Sequence, residues 1–493
     1  MAVPEIAVVP RPVSLVPSPE APFVVAPDTP LLVDPRPELI TVAVLAADLL
    51  GRVIGDAIEV RYGDDGSDGA IRLRLTEALP GGDEAYRLVV GPGRVLVEAR
   101  TATGLVHGVV TLRQLVRHAP DGTVSVPAVR IEDVPRYAWR GLSLDVARHF
   151  FGLDDLKLVV GLLAHYKLNV LHLHLTDDQG WRLEMPSRPL LTARSSGTAV
   201  GGGPGGFLTT AQFAELVTYA HTRGVTVVPE IDVPGHVNAA LHAYGALTPS
   251  GEPTEPYTGI EVGFSRLHAD VPATGPFLAD VLGDVAALTP GDYLHIGGDE
   301  ALELTPTEYA RLVTLASDAV RAYGKQVVGW QEIAHAPVTP GTVVQYWDDR
   351  EGARADRDAV VAAARAGARV LMSPGNRTYL DMVYDSSTPL GQDWAGAIEL
   401  RDAYEWEPST LVPGLPTDAV VGVEAAIWTE TIATLPELTQ MLLPRLAAVA
   451  EVAWTQPERR DWPGFRARVA GQAAFWDRLG LSWYPSPQVD WRR

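Results

Sequence analysis

Two carboxylates stand side by side at Asp299 and Glu300, closing the run Tyr293-Leu294-His295-Ile296-Gly297-Gly298. An apolar stretch ending in two glycines and an acid pair reads as a buried strand that delivers acids into a site. Glycines there are expected to let backbone and substrate approach closely, since no Cβ intervenes. A solvated strand-to-helix loop would give the same letters, so other strand ends must decide. They carry Asp145 and Arg148, then Asp177 with Asp178, then Glu230, Asp232 and His236. Later ends carry Trp330, then Trp347 with Asp348 and Asp349, then Tyr379 and Asp381, then Trp428 and Glu430. Singly, Arg148 could be a surface cation, Asp177 a helix cap and His236 a satisfied core histidine. Such residues at every buried strand end are costly unless they pair or bind something.

The mixture of types points to a sugar. Carboxylates and Arg hydrogen-bond hydroxyls, while Trp and Tyr offer flat faces to the C–H face of a pyranose, a contact adding about 0.5–1.5 kcal/mol. Trp330, Trp347 and Trp428 are expected to wall the pocket. His172 and His174 form an H-x-H pair, but no later strand clearly supplies the further histidines of a metal site. No metal and no cofactor are therefore expected. A retaining glycosidase sets two carboxyls about 5–5.5 Å apart on opposite sides of the scissile bond. Asp299 and Glu300 are chain neighbours with Cα atoms about 3.8 Å apart, so both approach from one side. Asp299 is thus a poor backside nucleophile. A substrate that brings its own, such as a 2-acetamido carbonyl held by Asp299, is the alternative.

These residues need a scaffold. After Pro135 the chain repeats strand, polar tip, loop and helix, with strands expected at 141–146, 169–175, 225–231, 292–296, 326–329, 342–346, 369–372 and 420–426. Most are apolar on both faces, as parallel strands under helices should be. The segments Thr209 to Gln212 and Thr305 to Glu308 resemble capping boxes that open helices. Eight such strands predict a (β/α)₈ TIM barrel over residues 136–493. A doubly wound sheet would want a Gly-rich phosphate loop after a strand, and none follows one. The glycine cluster 201–206 lacks the Lys-Ser/Thr of such a loop and reads as a flexible insertion. Before the barrel, residues 1–135 predict a small α+β domain. It has an alternating strand at 70–75, a hairpin of 85–90 with 94–99 around Gly91-Pro92-Gly93, and a helix over 103–118.

Composition narrows the class further. With 61 acidic against 40 basic residues the formal charge is −21, which disfavours nucleic acid and anionic membrane as partners. The absence of cysteine removes disulfides and thiol nucleophiles. Prolines at 4, 10, 12, 17 and 19 interrupt any apolar h-region, so no signal peptide is expected, which leans toward a cytoplasmic enzyme and leaves a secreted mature form as the alternative. No apolar run reaches the roughly 18–20 residues that span a bilayer.

Four segments then carry a family resemblance: 139–150 (WRGLSLDVARHF), 169–182 (NVLHLHLTDDQGWR), 229–236 (PEIDVPGH) and 295–300 (HIGGDE). In this order they resemble glycoside hydrolase family 20, and among its members the actinomycete β-N-acetylhexosaminidases. The resemblance covers nearly the whole chain. It implies Glu300 as general acid and base, Asp299 as acceptor of the acetamido N–H, and Tyr379 as donor to the acetamido oxygen. Trp330, Trp347 and Trp428 would enclose the acetamido methyl and sugar. Arg148, Asp381 and Glu430 would bind its hydroxyls, and Trp394 would lie near the site entrance. Asp177, His236 and Asp232 would tune Glu300. The implied substrates are N-acetylhexosaminides and chito-oligosaccharides. A metal-dependent hydrolase built on His172 and His174, and a catalytically dead sugar-binding protein, are the competing readings.

Overall fold

The computed structural model describes residues 6–63, 66 and 68–491. Eight parallel strands close into a barrel: β1 (Trp139–Asp145), β2 (Val170–His174), β3 (Thr226–Glu230), β4 (Tyr293–His295), β5 (Gln326–Trp330), β6 (Val343–Tyr346), β7 (Arg369–Met372) and β8 (Val420–Ile427). β8 pairs back onto β1, so the sheet has no edge. All eight expected strands form, each within two residues of its expected bounds.

The period of two along each strand sorts the barrel interior into layers. At the N-terminal mouth Trp139, Val170, Val228, Val328, Val343 and Leu371 form an apolar plug. Two residues further along, the inward positions become polar: His172 follows Val170, Glu230 follows Val228 and Gln345 follows Val343. The outward faces pack under the helices in one large core.

Helix starts follow the expected chemistry. Thr209 caps helix Thr210–His221 by accepting from the N–H of Gln212, whose side chain reciprocates. Thr305 caps Pro306–Ala322 by accepting from the N–H of Glu308, but the Glu308 carboxyl turns away to accept from the N–H of Ala269 (3.4 Å). The glycine cluster differs from the flexible insertion expected. The N–H of Gly206 donates to Ser196 O at 2.8 Å, and a Cβ there would lie 2.2 Å from the Phe150 ring, so the loop is close-packed.

Before the barrel, a seven-stranded mixed sheet carries the expected hairpin, Tyr86–Gly91 with Arg94–Ala99 joined through Pro92 and Gly93. The expected helix forms as Ala102–Leu115, and Arg117–His118 is a short strand instead of its last turn. A second helix, Ile40–Ile54, packs against it and was not expected from the sequence. Among the described residues, no helix is long and apolar enough to cross a membrane.

Candidate active site

At the C-terminal mouth of the barrel lies a cavity of about 240 Å³. It is lined by Arg148, His236, Asp299, Glu300, Trp347, Tyr379, Trp394, Trp428 and Glu430, with Ile260, Val262, Arg350 and Gln392 at the rim. A larger cavity at the opposite mouth, lined by Trp139, Asn169 and Arg369 among others, holds no acid pair. Chemistry, not size, selects the first.

The acid pair hangs from β4 through two glycines in left-handed backbone, Gly297 (φ 65°) and Gly298 (φ 105°). Their role differs from the one expected. A Cβ on Gly297 would sit 1.7 Å from Asp232 Oδ1, and one on Gly298 2.5 Å from Ile333. The glycines make room for protein neighbours, chiefly the Asp232 carboxylate, which accepts from the N–H of Gly298 (3.1 Å). Glu300 itself has φ 48°, a region that costs a side chain free energy and is held only by its surroundings. His236 sits at φ 54°. Its Nε2 faces both acids, 3.6 Å from Asp299 Oδ2 and 3.4 Å from Glu300 Oε2. Both acids therefore reach the cavity from the same side.

Behind His236 runs a buried chain of alternating acids and imidazoles. His236 Nδ1 meets Asp177 Oδ1 (3.2 Å), and Asp177 Oδ2 meets His174 Nε2 (2.7 Å). His174 Nδ1 meets Glu230 (2.7 Å), Glu230 meets His172 Nε2 (3.0 Å), and His172 Nδ1 meets Glu424 (2.9 Å). Burial opposes charge on His172, yet Glu230 and Glu424 lift it to about 9. Burial likewise opposes charge on Asp177, but Arg148 (2.8 Å) and then His236 hold its carboxyl well below the usual range. His295 on β4 stacks on His172, ring centroids 4.4 Å apart. Nothing in the sequence spacing pairs this third histidine with the H-x-H pair. Both nitrogens of His172 and of His174 face carboxylates, so their lone pairs and protons are already engaged by protein hydrogen bonds.

Asp299 is buried, and burial, opposed by His236 and aided by the Glu300 charge, lifts its carboxyl to about 6. Burial and the nearby Asp299 charge push the Tyr379 phenol well above its usual range, so it stays a donor. Its ring stacks on Trp347 at 12° and meets Trp394 edge-on. On the other side Arg148 lies under Trp428 (5.1 Å) and pairs with Asp177. Buried polar atoms without partners collect here: Asp299 Oδ1, Arg148 Nε, Glu430 Oε2 and both oxygens of Asp381. Unmet groups of both signs around a cavity are what a polyhydroxylated ligand would satisfy.

The sequence of the barrel matches the model described as "Glycosyl hydrolase family 20, catalytic domain" over residues 137–311 and 307–457. Residues 5–134 match "Glycosyl hydrolase family 20, domain 2". The chain belongs to glycosyl hydrolase family 20. It is 66% identical over 488 residues to a β-N-acetylhexosaminidase of Cellulomonas fimi, covering 99% of this chain and 98% of that one. The GH20 β-N-acetylhexosaminidase of Streptomyces coelicolor superposes with a TM-score of 0.95 at 45% identity, covering 99% of each chain. A mutant β-hexosaminidase of Streptomyces plicatus in complex with its product GlcNAc gives the same TM-score and identity, covering 99% of this chain and 98% of that one. This family 20 chain is thus a glycoside hydrolase of the β-N-acetylhexosaminidase type.

Most of the residues expected for this glycosidase meet at the one mouth. Trp330 is fully buried, donates its indole N–H to Glu230 Oε1 (2.8 Å), and its ring lies 5.7 Å from that of the lining residue Trp428. Asp177 and Asp232 are buried beside the acid pair, and Asp381 is buried near the lining residue Glu430, where burial and the Glu430 charge push its carboxyl up. Two residues escaped the sequence reading. Glu332, two past Trp330, accepts the indole N–H of Trp347 (3.1 Å), and burial and then Asp299 push its carboxyl well up. Arg445 sits fully buried, with its guanidinium donating to the carbonyls of Leu380 (2.7 Å), Met382 (2.8 Å) and Ile398 (2.9 Å). It pins the loop that carries Tyr379, Asp381 and Trp394. The acid two places beyond a strand-end Trp was visible for Glu332; nothing local marks Arg445.

Proposed function

We propose that this family 20 member is a retaining, exo-acting enzyme that removes terminal β-linked GlcNAc or GalNAc with the substrate's own acetamido oxygen as nucleophile. The observation that carries this reading is the shared contact of Asp299 and Glu300 with His236 Nε2, which puts both acids on one side of the cavity. A protein nucleophile would have to face the acid across the bond.

In this reading Glu300 protonates the glycosidic oxygen as the C1–O bond breaks, and the acetamido carbonyl oxygen closes onto C1 from the opposite face. The intermediate is an oxazolinium ion and the leaving alcohol departs. Glu300, now a carboxylate, takes a proton from water as that water attacks C1, restoring the acetamide with the β configuration retained. Acid–base help of this kind contributes about 10²–10⁴-fold. Asp299 accepts the acetamido N–H and bears against the positive charge that forms. The Tyr379 hydroxyl donates to the acetamido oxygen and aligns it, and a well-aligned internal nucleophile reaches effective molarities of about 10⁵–10⁸ M. Trp330, Trp347 and Trp428 enclose the acetamido methyl and the ring, with Trp394 near the entrance, while Arg148, Asp381 and Glu430 supply hydroxyl partners. His236, held by Asp177, orients Glu300.

A panel of chromogenic glycosides tests the reading. Aryl β-GlcNAc and β-GalNAc glycosides are expected to be cleaved and β-glucosides, which lack the acetamide, to be nearly inert. Equal rates on both classes would rule the mechanism out. Glu300→Gln is expected to lose most activity on poor leaving groups and much less on activated aryl ones.

A further inference from the structure

Large apolar side chains gather beside the acid. Ile260 and Val262 line the outer rim of the cavity, 56% and 39% exposed, and Phe264 and Leu302 follow at 41% and 75%. Thirteen large hydrophobic residues are this exposed among the described residues, and four of them fall in these two short stretches. The stretches touch. A Cβ on Gly263 would sit 2.6 Å from the Leu302 side chain and 3.4 Å from Glu300 O, and the N–H of Leu302 donates to that same oxygen (2.8 Å). The rim segment is tied down as well. Gln179 Nε2 donates to Gly259 O (2.9 Å), the N–H of Gly201 donates to Thr258 O (2.8 Å), and the Tyr257 ring packs on Phe264. The Arg350 charge at the same mouth is engaged by Asp348 (2.8 Å). Scattered exposed hydrophobics are ordinary on a protein surface; a contiguous patch at the edge of a polar pocket marks a contact surface.

We infer that Ile260, Val262 and Leu302 form the platform for the leaving group, and that they favour leaving groups with an extended apolar face. The inference rests on the role proposed for Glu300. The group that takes its proton is the glycosidic oxygen, so whatever departs lies on the Glu300 side of the cavity, over this patch. The sugar undergoing cleavage fills the inner part among Trp347, Trp428 and Tyr379. Two sources share the required chemistry: an alkyl or aryl chain, and the C–H face of a second pyranose. The three platform side chains are themselves uncharged, so their discrimination comes from buried apolar area.

The test compares methyl and octyl β-N-acetylglucosaminides, whose leaving alcohols differ little in acidity, together with a β-linked N-acetylglucosamine disaccharide. In the parent enzyme kcat/KM for the octyl glycoside is expected to exceed that for the methyl glycoside by about tenfold or more, since several methylenes leave water. In Ile260→Ser/Val262→Ser this ratio is expected to fall toward one, while competitive inhibition by free N-acetylglucosamine, which fills only the inner site, stays as in the parent. That inhibition also reports that the variant is folded. A fall in the disaccharide rate relative to methyl assigns the platform to a sugar face as well; a fall for octyl alone assigns it to lipid-like or aryl groups. A parent ratio near one, or a ratio that survives the double substitution, overturns the inference. Absence of turnover of every acetamido glycoside by the parent would overturn the catalytic reading instead.

Discussion

Burial lifts the Asp299 carboxyl to about 6 from an ordinary value of 3.8, whereas the proposed mechanism uses it as a carboxylate. A raised carboxyl carries a definite sign for folding. The folded state holds the proton more tightly than the unfolded chain, so ionised Asp299 costs stability above about pH 6. That cost fades as pH falls through 6 toward 4 and is gone below the unfolded value. The span corresponds to something on the order of 3 kcal/mol at neutral pH. Asp299→Asn, which removes the charge and keeps the shape, is therefore expected to resist urea better than the parent at pH 7.5 and equally at pH 4. The same variant is expected to lose most of its turnover and to bind a thiazoline mimic of the cyclised intermediate more weakly. A variant no more stable than the parent at pH 7.5 would show that the buried charge is already compensated. Glu300 and His236, both in left-handed backbone, belong to the same pattern of strain and uncompensated polarity concentrated at the site.

At the scale of elements, the barrel strands place Asp145, Glu230 and Trp330 directly, whereas Tyr379, Asp381 and Trp394 ride on a long loop after β7. Arg445, on the buried helix Arg445–Trp454, is what gives that loop a fixed shape, through carbonyls that would otherwise face one another without a donor. Arg445→Met is expected to cost about 3 kcal/mol or more, because several buried carbonyls lose their donor at once. Arg445→Lys, with one ammonium in place of a planar fork, is expected to stay folded and still lose about tenfold or more in kcat/KM, since a displacement near 1 Å at the reacting groups can cost about 10²-fold. Chromogenic assays of Arg445→Lys beside its urea midpoint separate the two effects; parent-like kinetics would show that the loop holds itself. This loop also marks where the sequence stops being legible. The eight strands could be read because apolar runs between turn residues recur at a regular spacing, and the acid pair because it ends one of them. The layer of His172, Glu230 and Glu424 was partly visible as alternation within β2, but their mutual contacts depend on barrel closure. Trp330 was legible as a strand-end residue, but its place opposite Gln345 of β6 exists only once the barrel has closed. Asp232, which fills the space left by Gly297, could not be paired with it from 65 residues away.

The whole molecule depends on how the α+β domain seats on the barrel. Asp133, at the end of the domain's strand Val129–Asp133, is buried and receives the Lys167 ammonium (3.0 Å) and the Trp454 indole N–H (3.0 Å). Tyr86 from the domain sheet adds its hydroxyl at 2.8 Å from the same carboxylate. Lys167 lies just before β2 and Trp454 ends the barrel helix that carries Arg445, so one buried ion pair joins the domain to both ends of the barrel chain. A second link runs from Glu84 to Arg140 at the start of β1 (2.6 Å). A buried pair contributes little net stability when intact, because desolvation offsets attraction, but removing one partner leaves the other charge stranded at about 3–5 kcal/mol. Lys167→Met is therefore expected to destabilise the protein by that order, and Lys167→Met/Asp133→Asn to recover most of the loss. If the domain and barrel unfold as one unit, both variants keep a single calorimetric transition that moves down and then back. If the pair holds two separable units together, Lys167→Met splits the transition in two, with the lower one belonging to the α+β domain. The site lies at the far mouth of the barrel from Arg140 and Lys167, so kcat/KM in Lys167→Met is expected to stay near the parent value at temperatures where the barrel remains folded. A loss of activity that precedes barrel unfolding would instead show that the domain holds the geometry of the site, with β1 and β2, which begin at these contacts and end at Asp145 and His174, as the connection.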